Sequence, residues 1–173
     1  MSLASFRRHH TPSGTYLVGR EGLMEDQYNL ERFVEAQNRV GVLDHVGSYE
    51  RALQEIRKGR KDTHWIWWVF PQLAGLGLSS TSREYSISSL AEAQAYLLHP
   101  VLGPRLREAT AAMNSHVGSR AGSILNGDDV KFRSSMTLFT RADPIEPLFR
   151  DAIDLFFDGQ PDARTDRLLE GNA

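Results

Sequence analysis

The chain has 173 residues, a formal net charge of −2, and 40% apolar against 24% charged residues. That suits one domain with its own core and excludes a global field that would draw it to nucleic acid or an anionic membrane. It holds no cysteine, which removes disulfides, thiol nucleophiles and cysteine-ligated metals. No apolar run approaches the roughly 18 residues of a transmembrane helix. No signal-peptide core follows the basic start at Arg7, Arg8, His9 and His10, so the expected compartment is the cytoplasm.

Residues 1–23 lack a clear period and read as a loosely docked extension; a single helical domain is expected over 24–173. Asn29 caps a first helix, with Leu30, Phe33, Val34 and Gln37 at helical spacing. Ser48 caps a second, Tyr49 to Lys58, whose apolar face is Ala52, Leu53 and Ile56, and Gly59 stops it. His64 to Phe70 holds all three tryptophans, Trp65, Trp67 and Trp68. Such a run fits a buried strand or two buried helical turns. No alternating segment is available to pair with it, which favours a short helix ended by Pro71.

Leu73 to Leu78 is a glycine-punctuated loop, and Ser79 to Tyr85 holds a short helix. Ser89-Leu-Ala-Glu92 is a capping box for a helix to Leu98. Gly103-Pro104 delays the next helix to Arg105–His116, with Leu106, Ala109 and Met113 inward. A turn is expected at Ser123–Leu125. Asp128 and Asp129 cap a helix through Phe139, with Val130, Met136 and Leu138 partly buried. Asp143, Pro144 and Glu146 mark a helix start for a segment ending at Gly159, and Asp162 to Glu170 closes the chain. The fold class is mainly α: one domain of about seven to eight helices around a buried tryptophan-rich segment.

Most standard sites are absent. There is no P-loop, no dinucleotide fingerprint, no H-E-x-x-H and no nucleophile elbow. Four of the six histidines stand alone and His9 adjoins His10, with no metal-ligand spacing, so no metal site is expected, and no cofactor is implied. Four polar groupings remain. Glu31 and Glu35, one helical turn apart, are either a solvated face or a carboxylate pair for acid, base or cation-stabilising work. Arg57, Lys58, Arg60, Lys61 and His64 are either solvated charge or an anion clamp beside Trp65. Gln72 with Ser79, Ser80, Thr81, Ser82 and Tyr85 either caps a helix or lines a polar pocket. Lys131 and Ser135 align on the Asp129–Thr137 helix as surface charge or as further ligand contacts.

The blocks LERFVEAQ (30–37), ALQEIRKGRK with HWIWWVFPQLAGLG (52–77), EYSISSLAEAQAYLLHPVLGPRL (84–106) and KFRSSMTLF (131–139) resemble the bacterial domain-of-unknown-function family 1810. Some of its members carry the name calpastatin in error. The family implies no activity. A more distant likeness is to NADAR-type N-glycosidases, through Glu31-Arg-Phe-Val-Glu35-Ala-Gln37, Ala52 with Ile56, Gly59-Arg60, Trp65 and Lys131-Phe132. It departs from them at Arg32 and Asn38 and lacks their C-terminal W-G block. That likeness implies a carboxylate such as Glu31 facing a sugar cation, Arg60 and Lys61 on a phosphate, and Trp65 stacking a base. Two functions follow as expectations. One is a pocket for a phosphorylated nucleoside or nucleotide-sugar, with hydrolysis of an N-glycosidic bond. The other is a non-catalytic module that takes a protein partner.

Overall fold

The computed structural model describes residues 15–16, 24–41 and 45–171. The chain divides into two units, residues 1–31 and 32–173. In the first, β1 (Thr15–Tyr16) pairs antiparallel with β2 (Met24–Glu25). The Asp26 carboxylate accepts hydrogen bonds from the backbone N–H groups of Leu30 and Glu31 at 2.7 and 2.9 Å. Asp26 therefore caps α1 (Glu31–Asn38), while Asn29, the expected cap, sits at φ 52°.

The second unit is helical. After α1 come α2 (Ser48–Arg57), α3 (Ile66–Val69), α4 (Ser80–Glu84), α5 (Leu90–Leu98) and α6 (Leu102–Asn114). Then follow α7 (Ala121–Ile124), α8 (Asp129–Ala142), α9 (Pro147–Phe157) and α10 (Ala163–Gly171). The described residues thus carry ten helices, more than the seven to eight expected, because α3, α4 and α7 are pieces of one turn or little more. The tryptophan segment is helical, as the missing strand partner implies.

α8 is the spine, packed against α5, α9 and α10, while α6 packs against α2, α5 and α9. Phe132 on α8 meets Phe70 edge-on at 4.8 Å between ring centroids, with Phe156 and Phe157 of α9 at 6.0 and 6.2 Å. One turn pair further along, Phe139 takes Tyr96 and Phe149 at 5.5 and 5.7 Å. Offset and edge-on pairs of this kind add to the area each ring buries. Gln37, buried, joins four helices: its amide donates to the Trp68 carbonyl at 2.8 Å and to the Tyr96 hydroxyl, and its oxygen accepts from Arg105.

Several helix ends differ from expectation, each because a tertiary partner overrides a local cap. Ser48 is the first residue of α2, and its hydroxyl accepts the Trp68 indole N–H at 2.9 Å instead of capping. Asp128 precedes α8 without a capping bond because two lysines hold its carboxylate. Val130 is 66% exposed, not partly buried, since Phe132, two residues on and so turned the other way, takes the buried face of this turn. Asp143 accepts from Ile145 and Glu146 N–H in a turn of its own, so α9 starts at Pro147. α6 starts three residues early, because Gly103 and Pro104 fit a first turn, where the missing proline N–H costs nothing.

Gly103 is there for space. A Cβ on it would stand 2.1 Å from the Leu97 carbonyl oxygen, where α5 turns into α6. Gly103→Ala gains helix propensity of about 1 kcal/mol but forces backbone apart, so the expected net loss is about 1–3 kcal/mol. Denaturant unfolding checks this; an unchanged or raised midpoint would show that the turn yields freely.

Candidate functional site

Glu55 organises the approach to the tryptophans. It lies on the buried face of α2 and accepts from the Trp65 indole N–H at 2.7 Å. It also accepts from Asp62 N–H at 2.8 Å, and from Thr63 N–H and Oγ1–H at 3.0 and 2.7 Å. Burial alone would raise this carboxyl, but those donors outweigh it and hold it below its ordinary value. Trp65 is thereby locked inside and only 1% exposed.

The basic run splits. Arg60 points into solvent and pairs with Asp62 at 2.8 Å. Lys61, beside it, is buried, pairs with Asp128 at 2.9 Å and lies 5.5 Å from the Trp65 ring centroid. The two cations serve different partners and do not make one clamp. His64 is exposed and lines a separate recess near Trp68.

The arrangement with the most chemistry is a cleft of ≈ 410 Å³ between α3, α4, α8 and the start of α10. Its floor is Trp67 together with Val130, Lys131 and Ser134 on α8. One wall is Gln72 and the 76–79 loop with Ser79 and Ser82; the other is Asp162 and Arg164. Trp67 is half-buried, and the Lys131 Nζ stands 5.8 Å from its ring centroid.

Local chemistry sets each wall. Gln72 is fixed by backbone bonds that run from Ile87 N–H to the Gln72 carbonyl and from Ala74 N–H to the Ile87 carbonyl, both 2.8 Å. Ser79 caps α4 through Ser82 N–H, and the two hydroxyls bond at 2.9 Å. The loop can close on them because residue 77 is glycine: a Cβ there would meet the Ser82 side chain at 2.4 Å. On the far wall, Arg133 bonds the carbonyls of Gln160 and Pro161, and Asp162 N–H donates to Thr137 Oγ1 at 2.8 Å.

Asp162 caps α10: its Oδ2 accepts from Thr165 N–H and Oγ1–H and from Ser134 Oγ–H, at 2.9, 2.6 and 3.1 Å. Burial pushes its carboxyl upward, but the hydrogen bonds from Thr165 and Ser134 prevail and keep it below the ordinary aspartate range. It is therefore a fixed negative charge. Lys131 is steadied by Asp128, whereas Arg164, exposed at the mouth, forms no ion pair among the described residues.

Of the residues singled out from the sequence, the cleft gathers Gln72, Ser79, Ser82 and Lys131. Ser80 is exposed on α4 outside its lining, and Ser135 is wholly buried with its hydroxyl unpartnered among the described residues. Trp65 and Lys61 lie inside the core. Glu35 is exposed on α1 and does not line the cleft; Glu31 belongs to the other unit. Sequence reasoning passed over Trp67, Ser134, Asp162 and Arg164 as ligand contacts. The Asp162-x-x-Thr165 capping pattern was the available signal for the far wall.

The sequence family described as a protein of unknown function (DUF1810) matches residues 27–169. The chain is similar to a solved structure, the conserved hypothetical protein Rv1873 from Mycobacterium tuberculosis, at 45% identity and a TM-score of 0.77. That match covers 84% of this chain and 99% of the other. No match was found among curated proteins. Among the described residues no helix is long and apolar enough to cross a membrane, and no cluster of potential metal ligands occurs.

Proposed function

The chain belongs to the DUF1810 family, whose description assigns no activity, and from that footing we propose that the cleft beside Trp67 binds a small phosphorylated nucleoside or nucleotide-sugar. The observation that carries this is the pairing of a half-buried indole with two cations, Lys131 and Arg164, in one cleft. A planar base stacks on an indole face irrespective of its hydrogen-bonding edge. A phosphate gains from a guanidinium that can offer it a fork of N–H donors, and Arg164 forms no ion pair among the described residues. The hydroxyls of Ser79 and Ser82 and the Gln72 amide suit the sugar.

Binding is better supported than bond cleavage. Asp162, the one carboxylate among the described residues that line the cleft, spends an oxygen on Thr165 and Ser134. N-glycosidic hydrolysis would call on Glu31 or Glu35, and Glu35 stands outside the cleft lining. The reading of a protein-binding module draws on Leu78 and Val130, 82% and 66% exposed at the same cleft.

A thermal-shift panel of AMP, NAD, ADP-ribose, ribose 5-phosphate and inorganic phosphate tests the proposal. A ligand at about a hundred times its dissociation constant stabilises by about 2.7 kcal/mol. The expected result is a shift with nucleotides that is lost in Trp67→Ala and in Arg164→Ala. No shift across the panel, or one that persists in both variants, contradicts nucleotide binding here and favours the protein partner.

A further inference from the structure

Lys131 lines the cleft with its ammonium on one oxygen of Asp128, and Lys61 holds the other oxygen at 2.9 Å. The three side chains form one group that runs from the core to the cleft. Lys61 is 7% exposed at its inner end, Asp128 18% in the middle and Lys131 34% at the outer end. Lys61 is fixed in place: its backbone N–H donates to the Ile124 carbonyl at 2.7 Å, and its ammonium stands 5.5 Å from the Trp65 ring centroid. Burial pushes the Asp128 carboxyl upward, but the two lysines prevail and keep it below its ordinary value. An ammonium is a compact point charge, so each lysine takes a single oxygen, where a guanidinium fork would occupy both.

That sharing decides the charge of the cleft. Among the described residues that line it, Arg164 and Asp162 have opposite formal charges, and Lys131 is the remaining ion. Were Asp128 matched to Lys131 alone, the whole set would be neutral. With Lys61 on the same carboxylate, three positive groups face two negative ones, and one positive charge is left over. Lys61 is buried and outside the cleft lining, so the surplus is felt at Lys131, 5.8 Å from the Trp67 ring centroid. Salt screens such a partly buried group far less than an exposed one. We propose that Lys131 is the seat of the ligand's phosphate, and that Lys61 is a positioning residue that keeps this seat positive by drawing on Asp128. The inference rests on the nucleotide reading of the cleft and says which cation meets the charged part of the ligand.

The test follows the Trp67 indole N–H in the intact, ¹⁵N-labelled protein and compares AMP with adenosine, which differ only in the phosphate. The parent is expected to prefer AMP. In Lys61→Met that preference is expected to fall about tenfold, the order of one unit charge acting across a partly buried path, with adenosine unchanged. Lys61→Met/Asp128→Leu leaves Lys131 without this carboxylate and restores the surplus charge, so the preference for AMP is expected to return. Lys131→Met, at a partly exposed position, is expected to abolish it. Three results would overturn the assignment while leaving nucleotide binding intact. They are a preference that survives Lys61→Met or Lys131→Met, an equal loss of AMP and adenosine in Lys61→Met, and a double variant no better than the single one. AMP that fails to bind the parent contradicts the nucleotide reading itself, and this assignment falls with it.

Discussion

Glu55→Ala is expected to cost about 3–5 kcal/mol of stability. Its carboxylate is the acceptor for the Trp65 indole, two backbone N–H groups and the Thr63 hydroxyl. An alanine leaves those donors without it in a site water reaches poorly, and each buried orphan costs about 1–3 kcal/mol. Glu55→Gln keeps one oxygen but turns an NH₂ toward the donors, so an intermediate loss is expected. Urea unfolding measures both, and an alanine variant within about 1 kcal/mol of the parent would show that the turn at 62–65 is held by packing alone.

The same group gives a pH dependence. Its folded pKa lies below its ordinary value of 4.5, as those of Asp128 and Asp162 lie below 3.8. A depressed carboxyl stabilises the fold fully above its unfolded value and loses that contribution as pH falls through its folded value. Stability is therefore expected to be retained down to about pH 4.5 as far as these groups are concerned, and to drop below it. In Glu55→Gln the fall should be shallower; an unchanged acid limb would remove Glu55 from the account.

The second large effect belongs to Asp128. Its two oxygens hold Lys61, whose side chain is 7% exposed, and Lys131. Asp128→Ala leaves a buried ammonium without its counter-charge, and breaking a buried pair by removing one partner costs about 3–5 kcal/mol. Replacing both members, Lys61→Met with Asp128→Leu, should recover most of that loss, since two well-packed apolar groups need no pairing. A double variant as unstable as Asp128→Ala would show that the cost lies in packing at α8 instead of in the stranded charge.

These two carboxylates also show which parts of the molecule are legible in the chain. Ala52, Leu53 and Ile56 declare a buried helical face by spacing alone. Glu55 lies three residues from Ala52 and so falls beside the same stripe; that position, not its residue type, was the clue to a buried acid. Helix interiors follow local periodicity and come through well. Helix ends fail where a cap residue has a better offer from a distant part of the chain, as Trp68 makes to Ser48 and Lys61 to Asp128. The adjacent Arg60 and Lys61 read as one basic run, yet backbone direction alone sends one to solvent and the other to the core.

The cleft suffers from the same limit. Gln72, Ser79, Ser82 and Lys131 are visible as polar residues at plausible places, but Asp162 and Arg164 join Trp67 and Ser134 in the cleft only because α10 docks on α8. That docking rests on the Arg141–Asp166 pair, at 2.9 and 3.0 Å, and on the Thr137–Asp162 bond. No local pattern announces such a pairing. Conversely, Trp65 and Ser135 look like ligand contacts in the chain and are enclosed in the folded unit.

The most direct measurement of the central proposal uses the three indoles as position markers. Trp65 donates to Glu55, Trp68 to Ser48, and Trp67 lines the cleft. In a ¹H–¹⁵N spectrum assigned with Trp67→Phe, the nucleotide that raises the unfolding temperature is titrated into the protein. The Trp67 indole signal is expected to move in saturable fashion while that of Trp65 stays in place. A nucleotide that stabilises the protein without moving Trp67, or a spectrum that no nucleotide perturbs, would contradict it.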